Sequence, residues 1–203
     1  MSSYFFTPSP SFGVGDHGFV TWINGFSNED IDRITKYGDS LIKEKASIGG
    51  FSVNENYSHL RESQVSWFEL NAETNWLYER LAYILRQLNG QFYRYDITGF
   101  SENFQYTVYD GNSKGHYSWH VDEANGMNID SSPRKLSMVI QLSDPLDYEG
   151  GNLELMRSSD IETVEKSKGL VAVFPSFRLH RVTPVTAGIR KTLVVWSTGP
   201  AFR

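Results

Sequence analysis

The sequence of 203 residues contains no cysteine. This absence excludes thiolate metal sites, cysteine nucleophiles and disulfide bonds, so any metal must be bound through nitrogen and oxygen ligands. No stretch approaches the about 18 consecutive apolar residues of a transmembrane helix, and the N-terminus lacks the charged and apolar regions of a secretory signal. We therefore expect a cytoplasmic protein with no membrane partner.

Basic residues are also few, and they do not cluster. The chain has 19 Lys and Arg against 24 Asp and Glu, a formal net charge of -5, so nothing predicts a nucleic-acid partner. The length is sufficient for one domain with a full core, and we find no internal repeat. We therefore expect a single domain over residues 1–203.

Two helices are predicted in the first half of the chain. Ser27 with Asp30 three residues later is typical of a helix start, and the helix should run to about Lys43. Its apolar positions fall at roughly helical spacing: Ile31, Ile34, Leu41 and Ile42. A clearer apolar stripe runs from Trp76 to Leu88, and Asn89-Gly90 should end that second helix.

From about Gln91 onward the pattern changes to short runs rich in β-branched and aromatic residues, separated by turn residues. Seven strands are predicted: Phe104–Tyr109, Tyr117–Val121, Leu136–Leu142, Leu153–Met156, Leu170–Phe174, His180–Val185 and Lys191–Ser197. Such strands favour a sandwich or barrel. We expect a β-rich α+β fold in which a helical support region (about 20–90) packs on one side of a double-sheet core (about 91–200).

The run "YSWHVDE" contains the first candidate for chemistry. Side chains two apart in a strand point the same way, so His120 and Asp122 should project side by side. His180 begins another predicted strand further along the chain. Two histidines and one carboxylate are the set that binds Fe(II) on one face and leaves positions open for substrate and oxygen.

Arg190 follows His180 by ten residues, on the next predicted strand. Its guanidinium fork suits the far carboxylate of a co-substrate such as 2-oxoglutarate, which would chelate the metal through its keto acid end. Trp196 has the same strand parity as Arg190 and should face the same pocket. Two other classes stay open: a cupin-like metal-binding protein that does not use 2-oxoglutarate, and a catalytically silent binding module.

Three segments resemble the Fe(II)/2-oxoglutarate-dependent oxygenases of the prolyl-4-hydroxylase-like branch, which includes the PKHD-type hydroxylases. The segments are "QYTVYDGNSKGHYSWHVDE", "RKLSMVIQLSDPLDYEGGNLEL" and "GLVAVFPSFRLHRVTPVTAGIRKTLVVW". They cover about residues 104–197 in the order and spacing of the family. The resemblance implies a double-stranded β-helix, or jelly roll, supported by N-terminal helices.

The resemblance also implies an activity and a set of small molecules. The activity is hydroxylation of a peptidyl substrate, prolyl in this branch, with succinate and CO2 as co-products; another residue or a small molecule is the alternative substrate. Fe(II), 2-oxoglutarate and O2 are implied, with ascorbate as reductant. A protein or peptide is the implied partner, and the oligomeric state stays open.

Site residues follow from the resemblance by position. The metal ligands and catalytic residues would be His120, Asp122 and His180. Arg190 would bind the distal carboxylate of 2-oxoglutarate, and Tyr109 matches a tyrosine that hydrogen-bonds the co-substrate. Gln141 lies where relatives have another co-substrate contact.

The substrate pocket would be shaped by Tyr117, Arg134 and Trp196, which match substrate-pocket positions in similar hydroxylases. Strict strand alternation turns Tyr117 away from His120, so its role requires a bend between them. The polar loop 123–135 is either a lid over the substrate or a solvated connection.

Overall fold

The first half of the chain forms the two predicted helices, α1 (Asn28–Ser40) and α2 (Asn75–Leu88). The computed structural model describes residues 18–48, 51–52, 58–122 and 132–201. Its strands are β1 (Val20–Trp22), β2 (Glu44–Lys45), β3 (Ser47–Ile48), β4 (Phe51–Ser52), β5 (Arg61–Glu62), β6 (Gln64–Phe68), β7 (Phe104–Asp110), β8 (His116–His120), β9 (Arg134–Gln141), β10 (Tyr148–Gly150), β11 (Leu153–Arg157), β12 (Asp160–Thr163), β13 (Val171–Pro175), β14 (His180–Val182) and β15 (Val185–Thr198).

Helix α1 begins as predicted but ends earlier. Ser27 accepts a hydrogen bond from the backbone N–H of Asp30, and the Asp30 side chain accepts one from the N–H of Ser27, which completes a capping box. The chain becomes extended directly after Ser40, so the expected continuation to Lys43 is wrong. The Lys43 ammonium instead donates to the backbone carbonyl of Asp39, which satisfies the helix end from outside. Ile42 is consequently 94% exposed and does not join the buried apolar face.

Helix α2 continues beyond its predicted end. Asn89-Gly90 does not stop it, because a π-helical turn (Asn89–Tyr93) follows directly. The buried Asn89 side chain accepts a hydrogen bond from the N–H of Tyr95 and donates one to its carbonyl. Arg94, with φ of 56°, then ends the turn in the left-handed region. Side-chain hydrogen bonding of Asn89 thus replaces the expected glycine stop.

Most strands form two antiparallel sheets, which draw β1, β2, β5 and β6 from the first half of the chain. The larger sheet has the order β1-β13-β9-β15-β7-β6-β2, with β10 also paired to β15, and the smaller has the order β12-β11-β14-β8-β5. A short pair, β3 with β4, stands apart. This architecture confirms the β-rich double-stranded β-helix with N-terminal helices. The predicted strand at Lys191–Ser197 is part of a longer one, because β15 already begins at Val185.

Strand alternation divides the larger sheet into two faces. One face packs on α1 and α2, and its buried residues include Tyr106, Val108, Leu136, Met138, Ile140, Val171, Val173, Leu193 and Val195. The other face packs on the smaller sheet through a second cluster that includes Tyr109, Val139, Ala172, Leu153, Leu155 and Val182. The parity of Arg190 is opposite to that of Leu193 and Val195, so its side chain enters the space between the sheets. No helix of the described residues is long and apolar enough to cross a membrane.

Candidate metal centre

His120, Asp122 and His180 converge between the two sheets. His120 ends β8 and lies directly opposite His180, the first residue of β14. The Nε2 atom of His120 is 3.6 Å from Oδ1 of Asp122, and Nε2 of His180 is 3.5 Å from Oδ2 of Asp122. The three ligand atoms all lie within 4.8 Å of one another. Two ligand atoms that are each about 2.1 Å from one ion, at a right angle, lie about 3 Å from each other. The candidate atoms are slightly farther apart than this, so the set fits a single divalent metal if its members move slightly closer together.

Backbone hydrogen bonds orient both imidazoles in the same way. Nδ1 of His120 lies 2.7 Å from the carbonyl oxygen of Ser118, and Nδ1 of His180 lies 2.8 Å from that of Arg178. A carbonyl only accepts, so each Nδ1 carries the proton and each Nε2 keeps its lone pair. This is the arrangement in which neutral histidines bind metals.

The Asp122 carboxylate is fixed and kept ionised. Ser137 donates a hydrogen bond of 2.7 Å to its Oδ2 atom. Burial by itself raises the pKa of Asp122, but the neighbouring His180 and His120 and the hydrogen bond from Ser137 outweigh it and lower the pKa. Burial and the nearby His180 in turn lower the pKa of His120. An ionised carboxylate beside neutral imidazoles is the protonation state that a metal requires.

The bend that the role of Tyr117 requires is present in β8. His120 pairs with His180 but Tyr117 pairs with Val182, so three steps on β8 face two on β14. This irregularity turns the Tyr117 ring onto His120, with ring centroids 3.4 Å apart and an interplanar angle of 15°. Tyr117 therefore contacts a metal-ligand candidate directly.

Arg190 is only 2% exposed, and its side chain enters the space between the two sheets, where the metal-ligand candidates also lie. It pairs across the strands with Tyr109, whose ring centroid is 5.4 Å from the guanidinium carbon. Its Nε atom is buried and has no hydrogen-bond partner. A Cβ at Gly151 would lie 2.9 Å from Cδ of Arg190, so the glycine makes room for this side chain. A buried, unpaired guanidinium is costly unless an anion neutralises it.

Tyr109 and Gln141 border this arginine from neighbouring strands. Burial raises the pKa of the Tyr109 hydroxyl, so it is protonated at neutral pH and able to donate a hydrogen bond. Gln141 lines the same small cavity as Arg190. Its amide donates to the Tyr148 hydroxyl at 2.8 Å and to the Ser143 carbonyl at 3.2 Å. The Gln141 amide thus already has two protein partners, one of which is the Tyr148 hydroxyl.

Arg134 and Trp196 form one contact beside Asp122. The guanidinium carbon of Arg134 is 3.8 Å from the centroid of the Trp196 ring. Arg134 also donates to the backbone carbonyl of Asp122 at 3.2 Å and forms a two-bond ion pair with Glu102. The stacking and the ion pair give Arg134 a fixed orientation. The loop 123–135 that continues from Asp122 lies outside the described residues from 123 to 131.

Arg61 is a residue whose contacts the sequence does not reveal. It is buried in β5, its guanidinium carbon lies 4.5 Å from the centroid of the Tyr117 ring, and its Nη2 atom has no hydrogen-bond partner. The Tyr117 ring thus contacts both Arg61 and His120. In the sequence, Arg61 is visible only as the first residue of "RESQVSWF", a segment whose similarity to the family is general.

The family comparison matches the part of the chain that carries these residues. Residues 104–198 match the model of the 2OG-Fe(II) oxygenase superfamily. PKHD-type hydroxylases of Synechococcus sp. (strain CC9311) and Colwellia psychrerythraea (strain 34H / ATCC BAA-681) are 39% and 40% identical to the chain over 83 residues each. These alignments cover 41% and 40% of this chain, but 36% and 37% of the two relatives. The chain thus spans little more than a third of the length of the curated relatives that it matches.

Solved structures extend the likeness to nearly the whole chain. A prolyl hydroxylase from Trichoplax adhaerens, in complex with a hypoxia inducible factor oxygen degradation domain peptide fragment, has a TM-score of 0.72 at 20% identity, covering 92% of this chain and 86% of that chain. A Pseudomonas putida prolyl-4-hydroxylase has a TM-score of 0.68 at 18% identity, covering 93% and 96%. At these identities the structures establish the shared fold. Over residues 104–198 the chain is therefore similar to the 2OG-Fe(II) oxygenase superfamily, and over about two fifths of its length to PKHD-type hydroxylases.

Proposed function

We propose that this chain is an Fe(II)- and 2-oxoglutarate-dependent oxygenase that hydroxylates a peptidyl proline, with succinate and CO2 as co-products. One observation carries the proposal: three metal-ligand candidates lie within 4.8 Å of one another, and a buried arginine that enters the same space between the sheets has no carboxylate partner among the described residues. Nitrogen and oxygen donors suit Fe(II), and an unpaired cation beside them suits an anionic co-substrate.

The metal would be held by His120, Asp122 and His180. The carbonyls of Ser118 and Arg178 accept from the two Nδ1 atoms, so both Nε2 atoms keep a lone pair with which they would bind the ion. The chemistry that Fe(II) would supply there is activation of O2, which couples decarboxylation of 2-oxoglutarate to hydroxylation of the substrate. The protein contributes two imidazoles that backbone carbonyls hold in orientation, and a carboxylate that is already ionised. This ligand set is largely buried.

The co-substrate would be held by Arg190 and Tyr109, with Gln141 beside them. The Arg190 guanidinium would bind the distal carboxylate through charge-assisted hydrogen bonds, and the protonated Tyr109 hydroxyl would donate a further one. Arg190 also separates this proposal from a cupin-like site, because a site without a co-substrate carboxylate does not need a buried cation. An intact ligand set likewise argues against a silent binding module.

The peptide would lie against Tyr117, Arg134 and Trp196. These side chains contact His120 or Asp122 or each other, so a substrate bound on them would lie next to the metal. Flat aromatic and guanidinium surfaces suit the apolar ring of proline. Two similar structures are prolyl hydroxylases, one with a peptide bound, and they support this substrate class.

The substrate is tested with a proline-containing peptide and the same peptide carrying alanine instead. Incubation with Fe(II), 2-oxoglutarate and ascorbate, the predicted reductant, should add one oxygen atom to the first peptide and none to the second. Succinate formation measured in the same samples separates the two parts of the proposal. Succinate without peptide oxidation would keep the oxygenase and reject proline as the target, whereas no succinate would reject the oxygenase.

A further inference from the structure

A second cation faces the cavity beside Arg190. Lys166 lies in the connection between β12 and β13 and lines this cavity together with Arg190, Gln141 and Gly151. The remaining walls are largely apolar side chains such as Val139. The cavity has about 10 Å³ of free space, which is room for about one water-sized group. An apolar pocket with a few convergent polar groups is the usual form of a ligand subsite.

Neither cation has a carboxylate partner within the described parts of the chain. The Arg190 guanidinium makes no ion pair there, and its Nε atom is an unpaired donor. The Lys166 ammonium donates to the Gly150 carbonyl and lies 4.9 Å from the centroid of the Tyr148 ring, which are both neutral contacts. Glu165 also borders the cavity, but its exposed carboxylate accepts a hydrogen bond from a serine hydroxyl.

Two like charges at one cavity destabilise each other. Burial lowers the pKa of Lys166, and the charge of Arg190 lowers it further. Lys168, two residues further along the chain, does have an acidic partner, because its ammonium lies 3.4 Å from the carboxylate of Asp32. An anion bound by both cations would remove the repulsion between them.

We propose that Lys166 is a second co-substrate-binding residue, which shares the distal carboxylate of 2-oxoglutarate with Arg190. This inference rests on the proposed function. The two cations come from different elements, β15 and the β12–β13 connection, so a carboxylate bound by both would be held from two sides. Lys166 would then favour dicarboxylic 2-oxo acids over monocarboxylic ones of the same chain length.

The test compares two ligands that differ only in the distal carboxylate, 2-oxoglutarate and 2-oxopentanoate. Their binding to Mn(II)-loaded protein is measured by calorimetry without oxygen, so turnover plays no part. The variants are Lys166→Met, Lys166→Arg and the matched control Lys168→Met, whose lysine is two residues away and does not line the cavity. Thermal unfolding of each variant checks that it is folded.

We expect Lys166→Met to weaken 2-oxoglutarate binding by about 10- to 100-fold, the loss of one charge-assisted hydrogen bond. Binding of 2-oxopentanoate should not change, Lys166→Arg should restore most of the 2-oxoglutarate affinity, and Lys168→Met should have no effect. Unchanged 2-oxoglutarate affinity in Lys166→Met, or an equal loss for both ligands, would overturn the role of Lys166 while keeping the proposed function. Failure of the wild-type protein to bind either ligand would overturn the proposed function as well.

Discussion

Replacing Arg190 with methionine should change stability and co-substrate affinity in opposite directions. Arg190 is 2% exposed and has an unpaired Nε donor, so the metal-free protein carries an uncompensated buried charge. Replacement of buried ions by apolar residues of similar volume is often neutral or stabilising by about 1–4 kcal/mol. We therefore expect Arg190→Met to raise the midpoint of thermal unfolding by about 2–10 °C.

The same change should remove the anchor for the distal carboxylate. Two charge-assisted hydrogen bonds of about 1.5–3 kcal/mol each correspond to at least about a 100-fold loss of 2-oxoglutarate affinity. Arg181→Met is the matched control, because Arg181 already pairs with Glu154 at 2.7 Å. It should lower stability slightly and leave 2-oxoglutarate binding intact. If Arg190→Met instead destabilises the metal-free protein and binds 2-oxoglutarate normally, Arg190 is part of the fold and the reasoning fails.

Three further predictions concern single side chains. Ser137→Ala removes the hydrogen bond to Asp122 and should weaken Mn(II) binding by about 10- to 100-fold in a metal titration; unchanged affinity would contradict the positioning role. Gly150→Ala should destabilise by more than about 2 kcal/mol in urea unfolding, because φ is +72° and the new Cβ would lie 2.1 Å from a backbone oxygen. Gly90→Ala is its control, since nothing lies within 4 Å of the new Cβ, and it should be neutral or slightly stabilising; equal losses would refute the argument. The pKa of Asp39 is lowered in the folded protein. Asp39→Asn should therefore lower the free energy of unfolding by about 0.5 kcal/mol at pH 7, and by progressively less as the pH falls through the folded pKa. A loss of stability that persists at pH 2 would contradict this.

Part of the candidate site is visible in the sequence as local spacing. His120 and Asp122 are two residues apart in sequence, and Arg190 follows His180 by ten residues along two adjoining strands. Strand parity and the resemblance to a family make these spacings informative. The requirement for a bend before His120 also followed from parity, and the irregular pairing of Tyr117 meets it.

Other features depend on contacts between distant segments, which the sequence does not display. Arg61 reaches Tyr117 through pairing of β5 with β8, and Glu102 reaches Arg134 across 32 positions. The position of Lys166 is visible only in the structure, where the β12–β13 connection brings it to the same cavity as Arg190. The end of α2 differs from the prediction for a local reason, because the Asn89 side chain makes two hydrogen bonds with the Tyr95 backbone six residues later, and a π-helical turn lies between them.

Formation of succinate from 2-oxoglutarate tests the central claim most directly. The wild-type protein with Fe(II) and O2 should release succinate, and Asp122→Ala should release none because one of the three metal-ligand candidates is lost. Arg190→Met should regain turnover only at much higher 2-oxoglutarate concentrations. Equal succinate formation by wild type and Asp122→Ala, or none by the Fe(II)-loaded wild type, would contradict the account.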